Sequence, residues 1–144
     1  MSNAFISKKP PKSTGRQDFG LDYLNKVINC HDNLSNFDII RTLVKFTSKS
    51  IRLNIEKFIL NNYNIHGLII SGGGLNHPIL INDIKKDLDI PILDIIDYGI
   101  ESKFKESLLM AVLGYSKIKN IKNNVPSVTG ASDNIVLGNI YEPQ

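Results

Sequence analysis

The chain is poor in the residues that build several common kinds of site, and each shortage removes a class of explanation. Cys30 is the one cysteine in 144 residues, so no internal disulfide can form and a reducing compartment is the expected setting. Cys30 is followed directly by His31, but His66 and His77 stand in other segments and the four residues do not have the spacing of a metal-ligand set, so no metal site of the protein's own is expected. No apolar run approaches the roughly 20 residues of a membrane-spanning helix. No export signal is visible either, and the expectation is a soluble, cytoplasmic protein with no membrane partner. The excess of one charge sign over the other is small too. The formal net charge is +3, and the early basic residues Lys8, Lys9, Lys12 and Arg16 stand among prolines without interleaved aromatics, which argues against a nucleic-acid partner.

What is present suits one globular domain, with 42% hydrophobic and 22% charged residues. Residues 1–4 are short and polar, a remnant or ragged end, and residues 5–13, with Pro10-Pro11 and three lysines, suit an extended lead-in. Residues 1–7 are therefore set apart from the fold, which is assigned to 8–144. Thr14 and Gln17 have capping-box spacing, opening a helix whose Leu21, Leu24, Val27 and Ile28 share a face. Ser35 or Asn36 opens a longer helix with an apolar stripe through Ile40, Leu43, Val44, Phe46, Ile51, Ile55, Phe58 and Ile59, closed by Asn61 and Asn62. Residues 66–71 read as a buried parallel strand, and a helix follows from Pro78 with Ile79, Leu80, Ile84 and Leu88 inward. Pro91 to Ile96 reads as a second strand, and a third helix from about Ser102 carries Phe104, Leu108, Ala111, Val112, Tyr115 and Ile118. Beyond Asn120 the chain is rich in turns around a short strand at 135–137. The sum is an α/β pattern, a parallel βαβ core with long flanking helices. Two strands alone make a poor sheet, so part of the sheet is expected to come from elsewhere.

The most informative stretch is Leu68-Ile69-Ile70-Ser71-Gly72-Gly73-Gly74-Leu75-Asn76-His77-Pro78, an apolar strand running through three glycines into a helix start. Glycines admit an anion close to backbone N–H groups, and the positive end of the following helix points the same way. Tight turning between strand and helix demands glycine for steric reasons alone, so both readings stand. A Walker loop is excluded because no lysine follows Gly74 within reach. The dinucleotide fingerprint fits poorly, since His77 occupies its third small-residue position, although Asp94 lies at a suitable distance.

Several separated blocks together resemble the C-terminal portion of the anhydro-N-acetylmuramic acid kinases. They are Pro10-Pro11-Lys12-Ser13-Thr14-Gly15-Arg16, Ser71-Gly72-Gly73-Gly74 with Pro78, Asp97-Tyr98-Gly99-Ile100, Glu106, and Val125 to Ser132 with Val136-Leu137-Gly138. The resemblance implies part of an actin-like (ribonuclease H-like), two-lobed sugar kinase using ATP with Mg2+, in which this chain supplies most of the C-terminal lobe. It further implies that the first phosphate loop and the catalytic aspartate belong to an N-terminal lobe with no counterpart here, so that no catalytic base is assigned and the chain alone is inactive. The family couples water attack on the anhydro bridge to transfer of the γ-phosphate, forming N-acetylmuramic acid 6-phosphate in cell-wall recycling.

By the same resemblance, Gly72, Gly73, Gly74 and Asn76 are nucleotide-binding candidates, and Glu106 is a sugar ligand whose carboxylate suits hydroxyl groups. Its plainer reading is a surface residue paired with Lys103. Asp97, where a strand ends and a helix is about to begin, is a second sugar-pocket candidate, or a charge placed for the helix N-terminus. Arg16 and Lys12 are candidates for phosphate or interlobe contact. His77 departs from the family's usual asparagine, and Gln17 from a glutamate. Two readings follow: a lobe of a working kinase, or a truncated, noncatalytic remnant that binds nucleotide or serves as an interaction module. Unpaired strand edges and apolar helix stripes lead to the expectation of a homodimer in either case.

Overall fold

The computed structural model describes residues 3–141. It is a mixed α/β arrangement, mostly helical, around a parallel two-stranded sheet. In order these are α1 (Ala4–Ser7), α2 (Arg16–Phe19), α3 (Leu21–Asn29), α4 (Asn36–Ile55), β1 (Leu68–Ile69), α5 (Pro78–Asp87), β2 (Ile92–Leu93), α6 (Lys105–Ile118) and α7 (Pro126–Thr129). Helix α4 runs on through a π-helical turn, Glu56–Leu60, and three 3-10 turns occupy Gly73–Asn76, Ile95–Tyr98 and Ser102–Phe104.

The long elements follow from their local signals. Ser35 caps α4 by accepting a hydrogen bond from the Asp38 N–H. Pro78 sits in the first turn of α5, where its missing N–H costs nothing. Helix α4 packs on α5, and Ile39, Ile84 and Leu88 are buried, as is Val27 of α3. A charged ladder runs along the same contact. Arg41 grips Asp83, Lys45 donates to both oxygens of Asp87 at 3.0 and 2.8 Å, and the wholly buried Ser48 hydroxyl donates to the Lys45 carbonyl at 3.1 Å. Hydrogen bonding from Arg41 holds the Asp83 carboxyl below its ordinary pKa, and Lys45 does the same for Asp87, each against the opposing effect of burial.

The sheet is smaller than the apolar runs predict. Leu68 pairs with Ile92 and Ile69 with Leu93, in parallel, and Ile95–Tyr98 coils into a 3-10 turn instead of extending the second strand. Where an extended lead-in is expected, Ala4–Ser7 is helical, capped by Asn3. The expected capping box at Thr14 does not form. Gly15 holds the cap position without a side-chain bond, Thr14 donates to Asp18 at 2.7 Å, and Gly20 breaks the expected helix into α2 and α3. Leu21 is exposed as a result.

The predicted strand at 135–137 is likewise absent. Asn123 and Asn124 hold that segment with their side chains, accepting from the N–H groups of Leu137 and Ile135 at 2.9 and 2.7 Å. Glutamine-terminated residues 142–144 lie outside the described residues, as do Met1 and Ser2. The larger departure concerns α6. Its apolar stripe, Phe104, Leu108, Val112, Tyr115 and Ile118, faces outward.

Candidate functional site

Because β1 and β2 are parallel, the turns leaving their C-terminal ends lie at one edge of the sheet. The first of these turns holds the glycines. Gly72 adopts φ 92°, ψ −174°, a conformation open to glycine and little else. Gly73 and Gly74 then open the 3-10 turn Gly73–Asn76, whose first N–H groups have no partner within the turn. A side-chain carbon placed on Gly73 would meet nothing within 4 Å, and one on Gly74 would make only an ordinary contact with Leu80 at 3.7 Å. Packing within the described residues therefore gives no reason for glycine at 73. The turn instead presents bare backbone at the approach to α5.

His77, which departs from the family pattern, has a local task. Its Nδ1 accepts a hydrogen bond from the Leu80 N–H at 3.2 Å, capping α5. Asn76 is exposed beside it and hydrogen-bonds through its side chain to nothing among the described residues.

The second turn carries the acidic candidate. Asp94 caps the 3-10 turn Ile95–Tyr98 by accepting from the Ile96 N–H at 3.0 Å, which leaves the exposed Asp97 carboxylate unengaged among the described residues. Gly99, at φ 78°, ends the turn in the left-handed region. The chain then enters α6, where Glu106 lies in the first turn, exposed. Lys103, the plainer partner expected for Glu106, pairs instead with Glu101 at 2.8 Å.

Sequence reasoning missed Lys105. Its ammonium donates to the Ser71 hydroxyl at 2.9 Å, so a side chain adjacent to Glu106 touches the residue adjacent to Gly72. A contact between residues 34 apart leaves no periodic signal, although a lysine next to a family-matched glutamate marked the place.

Lys12 and Arg16 are not brought to this edge. The Lys12 ammonium donates to the carbonyls of Phe5 and Ile6 at 3.1 and 3.2 Å and to the Asn54 side chain, and lies 4.8 and 5.1 Å from the ring centroids of Phe5 and Phe58. All three of its donors are spent tying α1 to α4. Burial, then the charges of Lys57 and Lys8, lower its pKa. Arg16 begins α2, exposed and without an ion pair among the described residues. Cavities of about 730 and 660 Å³ lie along α1 to α4, the larger lined by Phe5, Phe19, Tyr23 and Phe46, and neither includes a residue of the glycine turn.

A family model described as anhydro-N-acetylmuramic acid kinase matches residues 1–143. The chain belongs to this family. It is 40% identical over 141 residues to the anhydro-N-acetylmuramic acid kinase of Clostridioides difficile, covering 97% of this chain and 37% of that protein. The Francisella tularensis subsp. novicida enzyme of the same name is 38% identical over 140 residues, and that of Bacillus cereus (strain AH187) 35% over 146. The chain thus spans little more than a third of the length of these curated relatives. Within this chain the glycine turn follows β1, Asp97 lies in the turn that follows β2, and the Lys105–Ser71 hydrogen bond ties the start of α6, which carries Glu106, to the residue before Gly72. No group of three or more acidic, histidine or cysteine residues able to hold a metal occurs among the described residues.

Proposed function

We infer that this chain is the C-terminal, nucleotide- and sugar-binding lobe of an actin-like, ATP-dependent anhydro-N-acetylmuramic acid kinase, acting in the cytoplasm in peptidoglycan recycling. The intact enzyme would add water across the anhydro bridge and move the γ-phosphate of ATP to the sugar, giving N-acetylmuramic acid 6-phosphate and ADP. The observation that carries this reading is the glycine turn. Three glycines face outward beside a helix start, and Gly73 has no internal packing or backbone need to be glycine, which is the form of a surface that a phosphate or ribose must approach closely.

Gly72, Gly73 and Gly74 would present N–H groups to the nucleotide, with Asn76 at the rim. Asp97, in the turn after β2, and Glu106, in the first turn of α6, are both exposed carboxylates that would accept hydrogen bonds from sugar hydroxyls. Mg2+ would arrive with the phosphates, as it commonly does, since it keeps most of its waters and needs few protein ligands. Base and second phosphate clamp would come from an N-terminal lobe, so the chain alone would not turn over.

The test is direct. The protein extended by an N-terminal portion of the kind its relatives possess is given ATP, Mg2+ and anhydro-N-acetylmuramic acid, and products are followed by mass spectrometry. Formation of the 6-phosphate with stoichiometric ADP is expected. A folded, full-length protein that makes neither would overturn the reading, as would product from residues 1–144 alone.

A further inference from the structure

We propose that Lys105 is a positioning residue that sets the sugar-facing carboxylate in register with the nucleotide turn, and so couples the two binding events. The proposal rests on the function proposed above. Its basis is a mismatch between how much α6 carries and how little holds it. Helix α6 presents an apolar stripe outward and buries chiefly Ser116. Among the described residues, the hydrogen bond from Lys105 to Ser71 is the one side-chain polar link between α6 and the βαβ unit.

That link falls at the most consequential point. Lys105 is the first residue of α6 and Glu106 the second, so fixing the Lys105 head group fixes the first turn that projects Glu106. At the other end, Ser71 is the last residue before Gly72, where the backbone turns into its glycine-only conformation. A shift of the turn on nucleotide binding therefore reaches Glu106 through a single hydrogen bond. The ammonium has three donors and spends one on Ser71. Its positive charge beside the turn also favours an arriving phosphate, which would strengthen the tie as the site fills. By linkage, whatever nucleotide does for sugar affinity through this bond, sugar does for nucleotide affinity.

Three variants separate the tie from general stability. Lys105→Met keeps the aliphatic stem and removes the donor, Ser71→Ala removes only the acceptor, and Lys105→Arg restores a cationic donor. In full-length protein, Lys105→Met and Ser71→Ala are expected to raise the KM for sugar at saturating ATP about three- to tenfold, the range for one partly exposed charge-assisted hydrogen bond, with kcat within about twofold. The double variant should be no worse than either single one, and Lys105→Arg should recover most of the loss. Hydrogen exchange at the amides of Leu75 and His77, which donate to the Gly72 and Gly74 carbonyls at 3.1 and 3.2 Å, should quicken in Lys105→Met and Ser71→Ala. An active wild-type enzyme whose sugar KM is indifferent to both substitutions overturns the coupling and leaves the proposed function standing. Unchanged exchange overturns the tie itself. A wild-type protein without sugar turnover overturns the proposed function and the coupling together, while exchange still reports on the tie.

Discussion

The guanidinium of Arg41 and the carboxylate of Asp83 meet as a two-pronged pair, with Nη1 to Oδ2 at 2.5 Å and Nη2 to Oδ1 at 3.0 Å, across 42 residues of sequence. The pair belongs to the α4–α5 contact. Asp83 is shielded from solvent while Arg41 is about half exposed, so the carboxylate depends on its partner more than the guanidinium does. Lys45 and Asp87 repeat the arrangement one turn along.

Acid should weaken this contact specifically. Asp83 and Asp87 both titrate below the ordinary carboxyl value of 3.8, because hydrogen-bonded cations favour their charged forms in the fold. Groups whose folded-state pKa is depressed contribute stability in full above the unfolded value, and that stability is lost as pH falls through the folded one. Asp83→Asn is therefore expected to lower the thermal midpoint at pH 7 by about 3–6 °C, with the gap from wild type closing as pH drops below the ordinary carboxyl value. A gap that stays constant to pH 2 would show that the charge is not what matters there.

Gly72 and Gly73 should respond oppositely. Gly72→Ala forces a side chain into a backbone conformation that costs on the order of 1–3 kcal/mol, and loss of folding stability is expected first. Gly73→Ala places its methyl in open space at an ordinary backbone angle, so the fold should be nearly indifferent. Bulk at 73 should instead obstruct the nucleotide, and Gly73→Val in full-length protein is expected to raise the KM for ATP at least about tenfold, equivalent to about 1.4 kcal/mol. Thermal melts and ATP kinetics on the same preparations separate the two glycines. Equal, purely structural losses at both positions would return them to a steric role.

How much of this was legible depends on where each signal lies. Helices α4 and α5 announce themselves locally, through Ser35 and Pro78 and long apolar stripes, and both form where expected, although Ile40 and Ile79, read as part of those stripes, are about half exposed. The strands were legible as places but not as lengths, because pairing extends a strand only as far as its neighbour reaches, and two residues of each find a partner here. Helix α6 shows the limit of periodicity. Its apolar face is evident in the sequence, but the pattern does not say what covers it, and within the described chain nothing does. Ile135 to Leu137 reads as a strand because β-branched residues favour extended backbone, yet the N–H groups of Ile135 and Leu137 go to the side chains of Asn124 and Asn123, and a lone backbone bond from the Asn123 N–H to the Ile135 carbonyl at 3.1 Å makes no ladder. The glycine turn was marked as a candidate by its own residues before the family likeness supported it, and Glu106 was marked by the likeness alone. Lys105 was not, since only folding brings it to Ser71.

Glu106→Ala in full-length protein should impair sugar handling more than nucleotide binding. Glu106 is exposed and unpaired among the described residues, so its removal leaves no orphaned partner and the fold should hold. Losing a carboxylate that accepts from sugar hydroxyls is expected to cost on the order of 1–3 kcal/mol in kcat/KM for the sugar. Calorimetric ATP affinity should stay within about twofold, well under that cost. Weakened ATP binding with normal sugar kinetics would move Glu106 out of the sugar pocket.

Residues 1–144 by themselves should associate. The outward stripe of α6 includes Leu108, Val112, Tyr115 and Ile118, exposed by 45, 50, 59 and 74%, spaced three or four apart so that they form one continuous apolar strip. Strips of this kind are uncommon on monomers left in water. The sheet adds a second open surface, since each strand has one neighbour and one bare edge. Two copies can cover both by twofold pairing, the commonest arrangement for identical chains. Light scattering at several concentrations should give a dimer mass in the micromolar range. Leu108→Glu combined with Val112→Glu should return the monomer with its circular dichroism intact, because neither side chain supports the described core. A wild-type chain that stays monomeric and compact at high concentration would show that these strips are tolerated in water, and the homodimer would have to be abandoned.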